Sequence, residues 1–288
     1  MQDKQRNNEP YIDLHIHSTY SDGLQTPAQI IEAARERRLV AISITDHDTV
    51  DATPSAFQMG QDAGIEVVPG IEVGVAYKEC EVHLLGYFID PNNKSLKHYA
   101  RLLMRSREER AREIVKVLRK KGIQISYELV QQKAQGAPIG RPHVAQVLVE
   151  EGYVFSSFEA FDKYLGERKC CDIPKLNIGL ERAVEIIQEA QGLAFVAHPA
   201  TIECCEDVIE MLVGYGLDGI ETIHPRHDAK KRAFFSTLAR QYNLLESGGS
   251  DCHGGRDGSL MLGTLPVPVR FLNEMKERLP ASHPHKTG

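Results

Sequence analysis

The chain is short of cysteine pairing signals, of long apolar runs and of surplus positive charge. Its six cysteines include two adjacent pairs, Cys170-Cys171 and Cys204-Cys205, and none has C-x-x-C spacing. Over 288 residues that pattern excludes the disulfide framework of a small secreted domain, and reduced thiols are expected. No apolar stretch is long enough to span a bilayer, and Met1 to Pro10 is polar rather than signal-like. No membrane role is therefore expected, and the cytoplasm is the expected compartment. A net charge of -6 argues against a broad nucleic-acid-coating surface. There is no internal repeat, no low-complexity tract and no nucleophile elbow.

Hydrophobic runs that read as strands alternate with amphipathic, helix-like segments from Tyr11 onward. Thr26-Pro27-Ala28-Gln29 reads as an N-cap, a Pro at the first helical position and a capping-box Gln. A strand near residues 39–45, a helix near 55–64 and a strand reaching Glu72 follow. This rhythm predicts an α/β fold with a largely parallel sheet. It breaks over residues 92–172, where only helical patterns occur, a long one over 96–121 and shorter ones over 127–134, 141–151 and 157–165. That stretch predicts a helical insertion between a first part of the main domain (11–91) and a second part (173–279). The tails, 1–10 and 280–288, are expected to be disordered, and no obligate protein partner is evident. The basic helix from Arg101 to Lys121 carries Glu108, Glu109 and Glu113 among its cations and no aromatics, which reads as a solvated face rather than a nucleic-acid track.

The strand-like runs carry histidine and carboxylate at or near their ends: His15 and His17, Asp22 in the turn beyond, His47, Glu72, His83, His198, Asp251 and His253. Burying a strand does not require an imidazole there, whereas convergent metal ligands do. His15 and His17, two apart, project to one face while Leu14 and Ile16 fill the other. The set holds six imidazoles and three carboxylates, enough for two or three divalent ions at about three or four protein ligands each. Without thiolates, Mn, Fe or Zn is expected. Two or three such ions leave the site at about +1 or +3, which favours an anionic substrate.

Asp13-Leu14-His15-Ile16-His17-Ser18, Ile44-Thr45-Asp46-His47-Asp48, Pro69-Gly70-Ile71-Glu72, Val82-His83, Val196-Ala197-His198-Pro199 and Gly249-Ser250-Asp251-Cys252-His253 resemble the motifs of the PHP (polymerase and histidinol phosphatase) superfamily. The resemblance implies a distorted (β/α)7 barrel around a dinuclear or trinuclear site. It also implies a partition: His15, His17, Glu72 and Asp251 on one ion, Asp22, His47 and His198 on a second, and Glu72 bridging to a third with His83 and His253. Asp22, where some relatives have His, marks the stand-alone phosphoesterase branch that includes nucleoside 3′,5′-bisphosphate phosphatases and a 5′→3′ exoribonuclease.

That branch implies a metal-dependent hydrolase, with a water shared between ions as the nucleophile and Asp251, Arg226 and His227 as catalytic candidates. The expected substrate is a small phosphorylated nucleotide or short RNA. Asp46 and Asp48 read as orienters of the histidine ligands. For the phosphate that is not cleaved, Arg141 and His143 of Gly140-Arg141-Pro142-His143, Arg226 and His227, and Lys175 are candidates; His224 is weaker. The rival readings are a histidinol-phosphate-type phosphatase and a catalytically silent metal-binding regulatory module. Nine filled ligand positions argue against the second.

Overall fold

A computed structural model describes residues 10–78, 80–166, 168–173, 176, 178–255 and 261–285. Strands β1 (Tyr11–Ile16), β2 (Leu39–Ile44) and β3 (Glu66–Val67) lie parallel, linked by α1 (Pro27–Glu36) and α2 (Thr53–Ala63). The capping box forms as expected: Gln29 N donates to Thr26 Oγ1 at 3.3 Å and Thr26 N to Gln29 Oε1 at 2.9 Å. Next come β4 (Gly70–Tyr77) and β5 (Cys80–Tyr87), then α3 (Lys94–Lys120), α4 (Tyr127–Ala134), α5 (Arg141–Glu150) and α6 (Ser157–Ala160), which runs into a π-turn over Phe161–Leu165. The alternation resumes with α7 (Leu180–Glu189), β6 (Leu193–Val196), α8 (Cys205–Gly214), β7 (Gly219–Ile223), α9 (Ala229–Gln241) and β8 (Leu245–Gly248), and ends with β9 (Val267–Pro268) and α10 (Arg270–Arg278).

The strands make two sheets, ordered β3-β2-β1-β9 and β4-β5-β6-β7-β8. The largely parallel sheet expected from the rhythm is corrected here, because β4–β5, β5–β6 and β1–β9 are antiparallel. Only two residues of sequence separate β4 from β5, far too few for the crossover a parallel pair needs. The sheets meet at two seams through single parallel bridges, His47 with Glu72 and Ile16 with Cys252. Both bridges involve, or lie next to, the candidate ligands.

Three apolar clusters surround the strands. Ile71, Val73, Val75, Val82 and Leu84 pack under α7, α8 and α9, while Ile30, Ile31 and Ala34 cover Ile42 and Ile44. Ile12 and Leu14 join Leu85, Tyr87 and Phe195. A fourth cluster, with Ile114, Leu118, Val130, Val144 and Leu148, belongs to the helical segment alone. Helix α3 is shared: Leu96, Tyr99 and Leu103 pack on the strands, and Ala111 to Leu118 pack in the helical cluster. At 27 residues it is a beam of about 40 Å that passes the site in its middle.

The expectation of a disordered tail is also corrected for residues 280–285. His283 is buried, with Nε2 3.1 Å from the Phe88 carbonyl oxygen, so an imidazole that reads as tail finds a hydrogen-bonded seat. Residues 1–9 and 286–288 lie outside the described part. The six cysteines are free thiols in this structure. Among the described residues, no helix is long and apolar enough to cross a membrane.

Candidate metal centre

Short side chains on short strands build this site. His15 lies near the end of β1 and His17 just past it, and their rings face each other at 5.2 Å. His47 follows β2, His198 follows β6, and Asp251 and His253 follow β8. Glu72 is not at a strand end, as the sequence rhythm suggests, but near the start of β4, because the chain changes sheets at Val68-Pro69. His83 sits inside β5, opposite Gly74 of β4. His198 and Asp251 hold left-handed backbone angles, φ 27° and 51°, a conformation that non-glycine residues keep when their surroundings impose it. Gly249 is required by crowding, since a Cβ there would lie 2.3 Å from that of His15.

All nine predicted ligand residues converge. Glu72 is the hub: its Oε2 lies 3.4, 3.2 and 3.1 Å from nitrogens of His15, His17 and His47, and its Oε1 lies 2.8 and 3.2 Å from those of His83 and His198. Asp251 Oδ1 is 3.4 Å from His15 and 3.1 Å from His17. One part of the implied partition is corrected. His253, rather than His198, joins Asp22, His17 and His47, with Nε2 3.4 Å from Asp22 Oδ1, whereas His198 groups with His15 and Glu72. The reason is the seam: the Ile16–Cys252 bridge lays the residues after β8 against β1.

Buried nitrogen and oxygen atoms normally have hydrogen-bond partners. Here His15 Nε2, both ring nitrogens of His17, His47 Nδ1 and Glu72 Oε2 are buried without one. Imidazole and carboxylate groups whose atoms lie within 4.8 Å of one another in each of several clusters, with five buried atoms left without a hydrogen bond, fit a multinuclear divalent-metal site.

Charge is finely divided among these groups. Burial presses each imidazole towards neutrality, but Asp251 and Glu72 overcome it at His17, whose pKa rises to about 10. Glu72 and Glu81 do the same at His83, which rises to about 9. At His47 burial wins, and the pKa falls to about 3. Burial would raise the Glu72 carboxyl, yet His47, His83 and His15 hold it well below the usual range.

The supporting contacts differ from expectation. Asp46 accepts from Ser18 N at 2.8 Å, Ser18 Oγ at 2.6 Å and Ser21 Oγ at 2.5 Å, so it shapes the turn that carries Asp22. Asp48 receives Arg107 of α3 and, at 3.2 Å, the Tyr99 hydroxyl. The histidine partner that sequence reasoning missed is Glu221 on β7. Its Oε1 is 2.9 Å from His15 Nδ1, and its Oε2 accepts from His198 N at 2.6 Å. With Nδ1 donating to Glu221, His15 turns Nε2 towards Glu72 and Asp251. The signal of Glu221 in the sequence was the strand-like run Gly219-Ile220-Glu221-Thr222-Ile223-His224, which carries a carboxylate and an imidazole; His224 also groups with His15.

The metal pocket, about 260 Å³ and lined by His47, Glu72, Glu81, His83, His198, Asp251, His253 and Arg226, adjoins a second of about 340 Å³. They share His47, Glu81, His83 and Arg226, and the second adds Arg107, Arg110 and Arg141. Arg107 and Arg110 were read from sequence as part of a solvated face, yet Arg107 is half-buried against Asp48 and the Arg110 Nε has no hydrogen-bond partner. His143 is buried and accepts from Gly140 N at 3.0 Å, capping α5. His227 is buried beside Phe235, with Nδ1 3.0 Å from the Thr222 carbonyl oxygen. Neither is among the residues that line the two pockets. Lys175 lies outside the described residues.

The PHP domain family matches residues 13–164, just over half of the chain. The chain belongs to the PHP family. A 5′-3′ exoribonuclease of Salmonella typhimurium is 32% identical over 247 residues, covering 84% of each chain. A 3′,5′-nucleoside bisphosphate phosphatase of Chromobacterium violaceum is 33% identical over 277 residues, 93% of this chain and 97% of that one. Among solved structures, one from Bifidobacterium adolescentis, named provisionally a metal-dependent phosphoesterase, superposes with a TM-score of 0.87 at 25% identity, over 96% of this chain and 99% of that one. The PHP fold carries a metal-dependent phosphoesterase here, with Glu72 at the hub of the candidate ligands and an arginine-walled pocket beside them.

Proposed function

We propose that this PHP enzyme removes the 3′-phosphate from a nucleoside 3′,5′-bisphosphate, leaving the 5′-monophosphate. The observation that carries the reading is the shared wall of the two pockets. One pocket is lined by candidate metal ligands, and the other presents Arg107, Arg110, Arg141 and Arg226 to a phosphate that is not cleaved. Guanidinium forks suit phosphate oxygens, and two such sites side by side suit a small molecule with a phosphate at each end. The similarity to the Chromobacterium violaceum phosphatase supports the same substrate class.

His15, His17, Asp22, His47, Glu72, His83, His198, Asp251 and His253 would hold two or three divalent ions, with Glu72 placed to serve more than one of them. The two sheets, joined at both seams, are read as one distorted barrel that carries them on its rim. When bound, such ions supply Lewis acidity and a nucleophilic water at neutral pH. The rest falls to the chain's own residues. Glu221 orients His15, Asp46 holds the turn of Asp22, and Arg141 and Arg226 grip the distal phosphate. Residues 92–172, read as an insertion, bring Arg107, Arg110 and Arg141 to the reaction.

One observation favours a second substrate. A groove of about 520 Å³, lined by Thr19, Tyr20, Met59, Met104 and Pro138 among others, shares Pro138 with the arginine pocket. It offers room for further nucleotides, as release from the 5′ end of a short RNA would need; the Salmonella typhimurium relative is named for that polarity. The deciding experiment is product release by the Mn-loaded protein from adenosine 3′,5′-bisphosphate and from a 5′-phosphorylated short RNA, side by side. AMP and phosphate from the first are the expected result; mononucleotides from the RNA with an intact bisphosphate would overturn the main reading.

A further inference from the structure

Glu81 lies between the two pockets and lines both. Alternation along β5 puts it on the same face as His83, with Val82 and Leu84 buried on the other. Its Oε2 is 2.9 Å from Arg141 Nη2, and its Oε1 is 3.4 Å from His83 Nε2. A carboxylate thus occupies the guanidinium edge that a phosphate would take.

Arg141 does not need this partner to stay in place. Nη1 donates to the Leu165 carbonyl oxygen at 3.1 Å, and the guanidinium carbon sits 5.9 Å from the Phe161 ring centroid. What Glu81 adds is counter-charge among crowded cations. Burial, together with Arg141 and Arg107, lowers the pKa of Arg110 to about 10, and Glu81 opposes that fall. If Glu81 leaves Arg141, the His83 contact it already makes through Oε1 gives the carboxylate a partner to stay with.

We propose that Glu81 is an internal competitor for the phosphate that is not cleaved, leaving Arg141 when a dianionic phosphate arrives and returning to eject the 5′-monophosphate product. The inference rests on the bisphosphate reading above. A singly charged anion exchanges one carboxylate-like partner for another and gains little, whereas a phosphate dianion brings more charge and more acceptor oxygens. Glu81 thereby sets a threshold that favours phosphate over carboxylate ligands and keeps the product from lingering.

The test compares the full-length Mn-loaded wild type with Glu81→Gln. Removing a competing, partly exposed ion pair worth about 1 kcal/mol should tighten AMP binding in calorimetry about fivefold. The KM for adenosine 3′,5′-bisphosphate should fall by a similar factor, while that for adenosine 3′-monophosphate, which has no second phosphate, stays put. Repeating the AMP titration on chelated protein removes any contribution from the His83 contact to metal binding. Unchanged or weaker AMP binding in Glu81→Gln would overturn the inference, as would a fall in kcat with constant KM, which would make Glu81 a proton donor or a positioning residue. Failure of the wild type to bind AMP or cleave the bisphosphate would instead sink the substrate reading, and this inference with it.

Discussion

The metal wall and the arginine wall of this enzyme are built on opposite plans. His15, His17, Glu72 and Asp251 reach their meeting point directly from strands or the residues just past them, and backbone bridges at both seams hold their separations. Arg107, Arg110 and Arg141 reach theirs on long side chains from α3 and α5, with Arg107 held by Asp48 and Arg141 by Glu81 and the Leu165 carbonyl. The first plan suits ligands whose geometry must hold to tenths of an ångström. The second suits a group that must be gripped and let go. Chemistry and recognition are thereby separable, and substitutions in the two walls should fail differently.

The largest effect belongs to the metal wall. Asp251→Asn should cut kcat by about a thousandfold or more if, as proposed, Asp251 is a ligand of the ions that stabilise the reacting phosphate. Circular dichroism should show an intact fold, and elemental analysis should show a lost ion. Protons compete for the same donors. With pKa values raised to about 10 at His17 and about 9 at His83, both rings are protonated at neutral pH and must shed a proton to bind metal. Apparent Mn affinity should therefore rise with pH, by about tenfold per unit for each proton displaced, and level off above those values. Stability of the metal-free protein should move the other way. A raised folded pKa stabilises fully below the ordinary 6.5 and is lost as pH rises towards about 10, a decline that chemical denaturation should show only without metal.

The arginine wall should give a KM effect. Arg141→Ala should raise the KM for adenosine 3′,5′-bisphosphate by about thirtyfold through the loss of a charge-assisted fork, with metal content unchanged. A matching loss of metal would erase the separation between the walls. Glu221→Gln should lie between the two, weakening metal affinity by about tenfold because it supports His15 without contacting substrate. The smallest effect tests a part remote from both: Thr26→Ala should cost about 1 kcal/mol of stability by removing the α1 cap and leave kinetics alone.

The two walls also differ in how far they could be read from residues alone. A strand has a period of two, so His15-x-His17 announces a shared face, and repeated donors near strand ends announce a shared rim. His15, His17, His47, His198, Asp251 and His253 follow that pattern, whereas Glu72 near the start of β4 and His83 inside β5 do not. A helix offers no such announcement. Arg107 and Arg110 among Glu108, Glu109 and Glu113 have the pattern of a solvated surface, and only Asp48, 59 residues away from Arg107, shows that this part of α3 faces the site. His227 and His143 each stand beside an arginine in the sequence, and only the fold shows that one ring packs on Phe235 and that the other caps a helix.

The sequence by itself determined the α/β rhythm, the cap of α1, the helical stretch and the donor chemistry of the metal centre, because each follows from local periodicity or residue type. Tertiary structure alone decided that the sheet divides in two, that His253 pairs with Asp22 while His198 joins Glu72, that Glu221 steers His15, and that Glu81 faces Arg141. These are meetings between residues far apart in the chain, and no local pattern carries the distance between two side chains that only closure of the fold brings together.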